Sequence, residues 1–161
     1  MPNIVIRNAV PEDAPLVIDF IISLAQHEGV ENEINPKVGA LRTHLHADAN
    51  PRLYGLIAEL DGAPAGMTLY CPSYLNGTTE WVLHMHNLAV FKRYRRLGVG
   101  HALVRRLAQV AYSEGRLRIR IEVLENNLIA KAFYDKVKAT ADLPMHTLYI
   151  EGDALTKLAQ Q

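Results

Sequence analysis

The 161-residue sequence lacks several features that mark specialised classes of protein. Its single cysteine, Cys71, cannot close an intrachain disulfide, so a disulfide-stapled fold is excluded. Its 17 basic and 17 acidic residues balance, whereas proteins that bind long nucleic acids usually carry a basic excess. We therefore expect a globular protein without crosslinks and without a nucleic-acid partner.

Long apolar runs are missing as well. No uncharged apolar run approaches the roughly 18 residues that a membrane span needs, and the first residues lack the basic-then-apolar order of a signal peptide. Together with the lone cysteine, these absences predict a cytoplasmic protein that has no membrane partner. His44 and His46 have no set of further ligands around them, so we predict no metal site.

Patterns typical of strands and helices alternate along the whole chain. The acidic Pro11-Glu12-Asp13 indicates the start of a helix, Asn35-Pro36 indicates the start of another, and Asp61-Gly62 indicates a tight hairpin. Period-two segments predict strands at 4–6, 53–60, 65–70, 80–90, 117–123 and 148–150. Helical periodicity predicts further helices at about 98–114 and 127–137. We predict one α/β domain over residues 1–161 with a mixed sheet.

The segment 80–90 carries two histidines. Strict alternation along a strand would place His84, His86, Leu88 and Val90 on one face. A basic turn, Arg95-Arg96-Leu97-Gly98-Val99-Gly100, follows this strand and leads into the helix. The free amides of a helix N-terminus, two glycines and two arginines suit a phosphate group. A basic turn that merely starts a helix is the alternative interpretation.

Residues 95–100 match [R/Q]-x-x-G-x-[G/A], the acyl-CoA signature of the GNAT superfamily of N-acetyltransferases, which the sequence resembles. The similarity looks closest to the diamine (spermidine/spermine) acetyltransferase branch, and it extends to residues 6–28, 88–90 and 127–134. This resemblance implies a mostly antiparallel sheet flanked by helices, acetyl-CoA as co-substrate, a small-molecule amine as substrate, and a homodimer.

The resemblance also implies roles for individual residues. Backbone groups of Leu88 and Val90 would bind the pantetheine arm as an added strand does. The amides of residues 98–101 would hold the pyrophosphate, and Tyr134 would lie near the cofactor's sulfur. The implied cofactor-binding set is Leu88, Val90, Arg95, Arg96, Gly98, Val99, Gly100, His101, Asn127 and Tyr134.

Three positions depart from the pattern of the resembled branch. His86-Asn87 stands where that branch has Glu-Asp, which leaves the base and the amine open. Arg96 stands where glycine is common. Lys138 stands at the usual glycine after the helix of Tyr134, so we expect that helix to end differently.

Acetyl transfer needs a neutral amine, yet only about one lysine-like amine in two thousand is neutral at pH 7, a penalty of about 4–5 kcal/mol. His86, largely neutral at that pH, is the candidate base, and His84 could assist it through water. Tyr134 is the candidate acid for the leaving thiolate. Glu28 is the candidate binder of a cationic amine. Simple packing of the histidines and of Tyr134, and a solvated loop at Glu28, are the alternatives.

The sequence therefore predicts an acetyl-CoA-dependent N-acetyltransferase that acts on a polyamine, a diamine or an amino-acid-like amine. Two other functions stay open. One is acetylation of an amine on a protein, and the other is a regulatory module that binds acyl-CoA without turnover.

Overall fold

The computed structural model describes residues 3–46, 48–49, 52–141 and 150–160. The chain divides into two compact units, Met1–Leu128 and Ile129–Gln161. Its helices are α1 (Ala14–Glu28), α2 (Val38–His44), α3 (Val99–Ser113), α4 (Leu128–Lys136) and α5 (Gly152–Ala159). Its strands are β1 (Ile4–Asn8), β2 (Tyr54–Leu60), β3 (Ala63–Leu75), β4 (Glu80–Val90) and β5 (Ile119–Ile121).

Within the described residues, the five strands form one sheet in the order β1-β2-β3-β4-β5. The first three pairings are antiparallel, and β4 pairs with β5 in parallel. Asp61 and Gly62 have φ angles of 50° and 81°, and such a left-handed pair forms the tight turn between β2 and β3. The predicted α/β fold with a mixed, mostly antiparallel sheet is thereby confirmed.

The sheet carries helices on both faces. Apolar residues of α1 and α2 pack with Ile57, Met67, Leu69 and Ala89 in one core cluster. On the other face, α3 buries Val99, Leu103, Leu107 and Ala111. The apolar stripe predicted for this helix is therefore its buried face, and the turn before α3 is held against the sheet.

The arginine of β1 anchors the start of α1. Arg7 donates from both terminal nitrogens to Asp13, at 2.7 and 2.9 Å, and from Nε to Glu59 at 2.8 Å. The guanidinium lowers the pKa of the Asp13 carboxyl, which also accepts from the Val10 amide at 2.8 Å. These bonds fix the direction in which α1 leaves the first strand.

Strict alternation along β4 proves wrong. Leu69 of β3 pairs with Asn87, whereas the next residue, Tyr70, pairs with Met85, so His86 is an extra residue in β4. Such a bulge reverses the faces of all later positions. Leu88 consequently lies on the opposite face from His84, because Ala89 instead packs in the α1 core.

Other predictions at element ends also need correction. The helix predicted to begin at Asn35-Pro36 begins at Val38 with Lys37 as its N-cap, and Asn35 instead accepts a bond from the Lys37 ammonium at 2.8 Å. The predicted strand 148–150 lies largely outside the described residues, and Ile150 is in no strand. The predicted strand 117–123 is paired only over Ile119–Ile121.

A residue with a left-handed backbone lies two positions after the end of α4. Lys138 has a φ of 63°, and the Ala139 amide bonds back to the Tyr134 carbonyl at 3.0 Å. This is the closure that glycine usually makes at a helix C-terminus. The expectation of a different ending was wrong, because lysine adopts the glycine conformation here.

The close approach of α3 to the sheet generates a stability prediction. A Cβ atom on Gly66 would lie 2.8 Å from a Val99 methyl and 3.0 Å from the Ala89 carbonyl oxygen. We expect Gly66→Ala to lower the free energy of unfolding by about 1–3 kcal/mol, because the packed core has no room for it. Gly39→Ala, in α2 with no atom within 4 Å, should instead raise it by about 0.5–1 kcal/mol. Urea unfolding of both variants measures the difference, and equal effects would contradict the packing argument.

Candidate active site

Two histidines and the cysteine meet on the α1 face of the sheet. Cys71 pairs with His84 across β3 and β4, and Cys71 Sγ lies 3.1 Å from Nε2 of His86. The rings of His84 and His86 are 4.3 Å apart between centroids. At the bulge His86 is exposed, and it keeps its contacts with Cys71 and His84.

A carboxylate faces this cluster from the end of β5. Glu122 Oε2 lies 3.8 Å from His84 Nε2, which is longer than a hydrogen bond, while Glu122 Oε1 accepts from Arg120 at 2.9 Å. His84 Nε2 is buried and has no hydrogen-bond partner among the described residues. A buried ring nitrogen without a protein partner is uncommon.

The cluster favours neutral imidazoles. Loss of hydration lowers the pKa of His86 below its usual 6.5, and the charge of Glu122 opposes this shift. Loss of hydration also lowers the pKa of His84, followed by repulsion from His86. Burial raises the pKa of the Cys71 thiol. At neutral pH both imidazoles are therefore available to accept a proton, and the thiol keeps its own.

The strands β4 and β5 part at the bulge. Their last pair is Met85 with Ile121, so residues 87–90 pair with β3 on one side and with no described strand on the other. The Phe91 amide donates to Ala65 of β3 at 3.0 Å. Because alternate residues of an antiparallel strand face opposite edges, Leu88 and Val90 direct their backbone groups towards the open edge.

The glycine turn lies directly after this open edge. Gly98 is the N-cap of α3 with a φ of 87°, and Arg96 has a φ of 66°. The first amide of the helix that bonds back into the turn is that of Ala102, to the Gly98 carbonyl at 3.0 Å. The amides of residues 99–101 thus have no acceptor within the helix, the arrangement that binds phosphate groups.

The Arg95 side chain points back to the strand and not outward. Its Nε donates to the Val90 carbonyl at 3.1 Å, and its Nη1 lies 3.4 Å from Nδ1 of His27 at the end of α1. The same Nη1 lies 3.5 Å from Nε2 of His27, so the guanidinium contacts both nitrogens of the ring. Arg95 therefore connects the turn to β4 and α1, whereas the Arg96 side chain is exposed to solvent.

The end of α1 also brings together two residues that the sequence treats separately. Asn127 Nδ2 donates to Glu28 Oε1 at 3.1 Å. The predicted amine-binding carboxylate and a predicted cofactor contact are therefore neighbours. The bond leaves the second carboxylate oxygen of Glu28 as an acceptor for a cation.

Tyr134 belongs to the second unit. It is half-buried on α4, and its ring lies 5.2 Å from that of Phe133 in an edge-to-face contact. The predicted pair Phe133-Tyr134 thus makes a ring contact within α4.

The described part of the chain contains no group of three His, Cys, Asp or Glu residues arranged for a metal ion. No helix in that part is long and apolar enough to cross a bilayer. A cavity of about 570 Å³ lies at the far end of α3, between Trp81, Glu114 and Leu117. None of the residues predicted for the site lines this cavity.

Three residues of the site escaped sequence reasoning. Cys71 reaches His86 across two strands, Glu122 reaches His84 from the end of β5, and His27 reaches Arg95 over a separation of 68 residues. None stands in a motif. The only available signal for Glu122 was its place in the alternating segment 117–123, which would require knowing that β5 lies beside β4.

Comparison with known proteins identifies the family of the chain. The model of the acetyltransferase (GNAT) family matches residues 19–138. A thialysine N-epsilon-acetyltransferase of Caenorhabditis elegans is 30% identical over 164 residues, covering 100% of each chain. A thialysine N-epsilon-acetyltransferase of Sus scrofa is 28% identical over 171 residues, covering 99% of each.

Solved structures support the fold. An aminoglycoside acetyltransferase from an uncultured soil metagenomic sample, in complex with sisomicin, superposes with a TM-score of 0.74 at 19% identity, covering 93% of this chain and 97% of that one. An integron cassette protein from the mobile metagenome of V. cholerae gives 0.75 at 20% identity, covering 98% of each. The family match over most of the sequence decides the assignment: the chain belongs to the GNAT acetyltransferase family and is an N-acetyltransferase.

Proposed function

We propose that the protein transfers the acetyl group of acetyl-CoA to the side-chain amine of a lysine-like amino acid such as thialysine. The proposed substrate follows the names of the relatives that match over the full chain. A polyamine or diamine is a less favoured substrate, because His86-Asn87 replaces the Glu-Asp of that branch. A cytoplasmic location and a homodimer stay predictions from the sequence.

One observation carries the proposal: the open edge of β4 runs directly into the free amides at the start of α3. An extended pantetheine arm can bind Leu88 and Val90 as an added strand. Its pyrophosphate then meets the amides of residues 99–101 and the charge of Arg96. The Val90 carbonyl already accepts from Arg95, so the Val90 amide and the backbone groups of Leu88 are the positions offered to the arm.

His86 acts as the base in this proposal. It lies at the bulge where β5 leaves β4, next to the edge that would hold the thioester. The cationic amine first loses one proton to solvent, and the neutral imidazole of His86 then accepts a second proton as the nitrogen attacks the thioester carbonyl. Glu28 attracts the cationic substrate, while Asn127 fixes one oxygen of its carboxylate. Tyr134 protonates the departing thiolate, a role that rests on its place in the sequence motif alone.

A panel of amines tests the function. Purified protein is incubated with acetyl-CoA and, separately, thialysine, lysine, spermidine and a peptide with a free N-terminus. We expect thiol release with thialysine or lysine above the others, because the substrate resembles that of the relatives. Release with the peptide alone would favour a protein substrate. Tight CoA binding without release for any amine would favour a module without turnover.

Two substitutions that differ in charge but not in size test the turn of residues 95–100. We expect Gly98→Asp to weaken acetyl-CoA binding about tenfold or more relative to Gly98→Asn, a difference of about 1.4 kcal/mol. Both side chains have similar size and tolerate the φ of 87° at this position, so the comparison isolates repulsion of the pyrophosphate. Calorimetry measures both affinities. Equal affinities would place the phosphates elsewhere.

Replacing His86 by a residue that does not titrate tests its role as the base. We expect His86→Gln to lower kcat about 100- to 10,000-fold with acetyl-CoA affinity near that of the unmodified protein. The exposed His44→Gln, on α2, should change neither quantity. In the unmodified protein, kcat at saturating amine should fall with decreasing pH through a pKa below 6.5, since protonated His86 cannot accept a proton. Full turnover of His86→Gln would remove the residue from the mechanism.

A further inference from the structure

The buried nitrogen of His84 has a specific surrounding. Nε2 has no partner among the described residues, and the Glu122 carboxylate stands 3.8 Å away. The His84 ring lies against that of His86, and His86 also contacts Cys71. The proposed base thus belongs to a row of side chains, Cys71, His86, His84 and Glu122, that ends at a negative charge after β5.

We propose that His84 and Glu122 are positioning residues for the base, which hold the His86 ring in place and compensate the positive charge it gains during the reaction. This inference rests on the proposed function, because it takes His86 as the base. Glu122 touches neither substrate nor cofactor in this arrangement and acts through the His84 ring.

The proton balance shows why the row is useful. When the neutral amine nitrogen forms its bond to the acetyl carbon and the carbon–sulfur bond breaks, one amine proton moves to the imidazole of His86 and the thiolate takes a proton from Tyr134. The histidine pair then holds one positive charge, which the Glu122 carboxylate stabilises more strongly than it stabilises the neutral pair.

The groups that face the pair include both signs of charge. Cys71 on β3 keeps its proton because burial raises its pKa, so it adds no charge beside His86. Arg120 on β5 repels a protonated His84 but is itself bonded to Glu122 at 2.9 Å. The carboxylate is therefore the one group in this set that favours the charged form, and its removal must lower the proton affinity of both rings.

The test uses Glu122→Gln, which keeps the shape and removes the charge. Glu125→Gln is the matched control, since it removes an exposed carboxylate three residues away. NMR titration of the histidine ring protons measures the pKa of His84 and His86 without any substrate. The pH dependence of kcat measures the same group during turnover. Acetyl-CoA affinity, measured by calorimetry, should not change in either variant.

We expect Glu122→Gln to lower the pKa of His84 and His86 by about half a unit or more, and to move the acid limb of kcat to lower pH by a similar amount. Turnover on the plateau should fall about threefold to tenfold, because the base has become weaker. Glu125→Gln should leave both profiles in place.

Two outcomes separate the possible failures. Unchanged histidine titrations in Glu122→Gln would overturn the inference, whatever the kinetics. Shifted titrations with an unshifted acid limb would support the electrostatic link between Glu122 and the pair, and would instead overturn the assignment of His86 as the base.

Discussion

The single extra residue in β4 is the constraint on which the site depends. Inserting His86 between the partners of Leu69 and Tyr70 reverses the faces of the strand, so that Ala89 completes the α1 core beyond the bulge. The same residue marks the last pairing with β5, and so opens the edge at Leu88. If β4 had no bulge and paired with β5 along its whole length, it would bury its histidine or hydrogen-bond all its backbone groups. No edge would then remain for a ligand.

The position of the glycine turn follows from packing on the other face of the sheet. Gly66 allows Val99 and Leu103 to approach the strand backbone, which seats the first turn of α3 beside the open edge of β4. The turn then uses two left-handed residues, one of which is Arg96 and not glycine. A left-handed non-glycine residue costs roughly 1–2 kcal/mol, which local packing and the Arg95 bond to Val90 must offset.

Local patterns predicted much of this structure. The strand over 80–90, the hairpin at Asp61-Gly62 and the buried stripe of α3 follow from periodicity and turn chemistry, which are properties of neighbouring residues. The bulge was not predictable, because an extra residue becomes visible only against the register of β3. The contacts of Cys71 and Glu122 escaped prediction for the same reason, since each joins separate strands.

The chemistry of the site sets two requirements that pull in opposite directions. A base must be neutral at rest, which the partly desolvated surroundings of His86 provide by lowering its pKa. It must also hold a proton taken from an amine whose neutral form costs about 4–5 kcal/mol at pH 7, which a strongly desolvated imidazole would do poorly. A carboxylate that contacts the neighbouring histidine, and not the base itself, meets both requirements. Glu122 is more than half exposed and contacts His84 instead of His86, so it moderates the shift without trapping the base as a permanent ion pair.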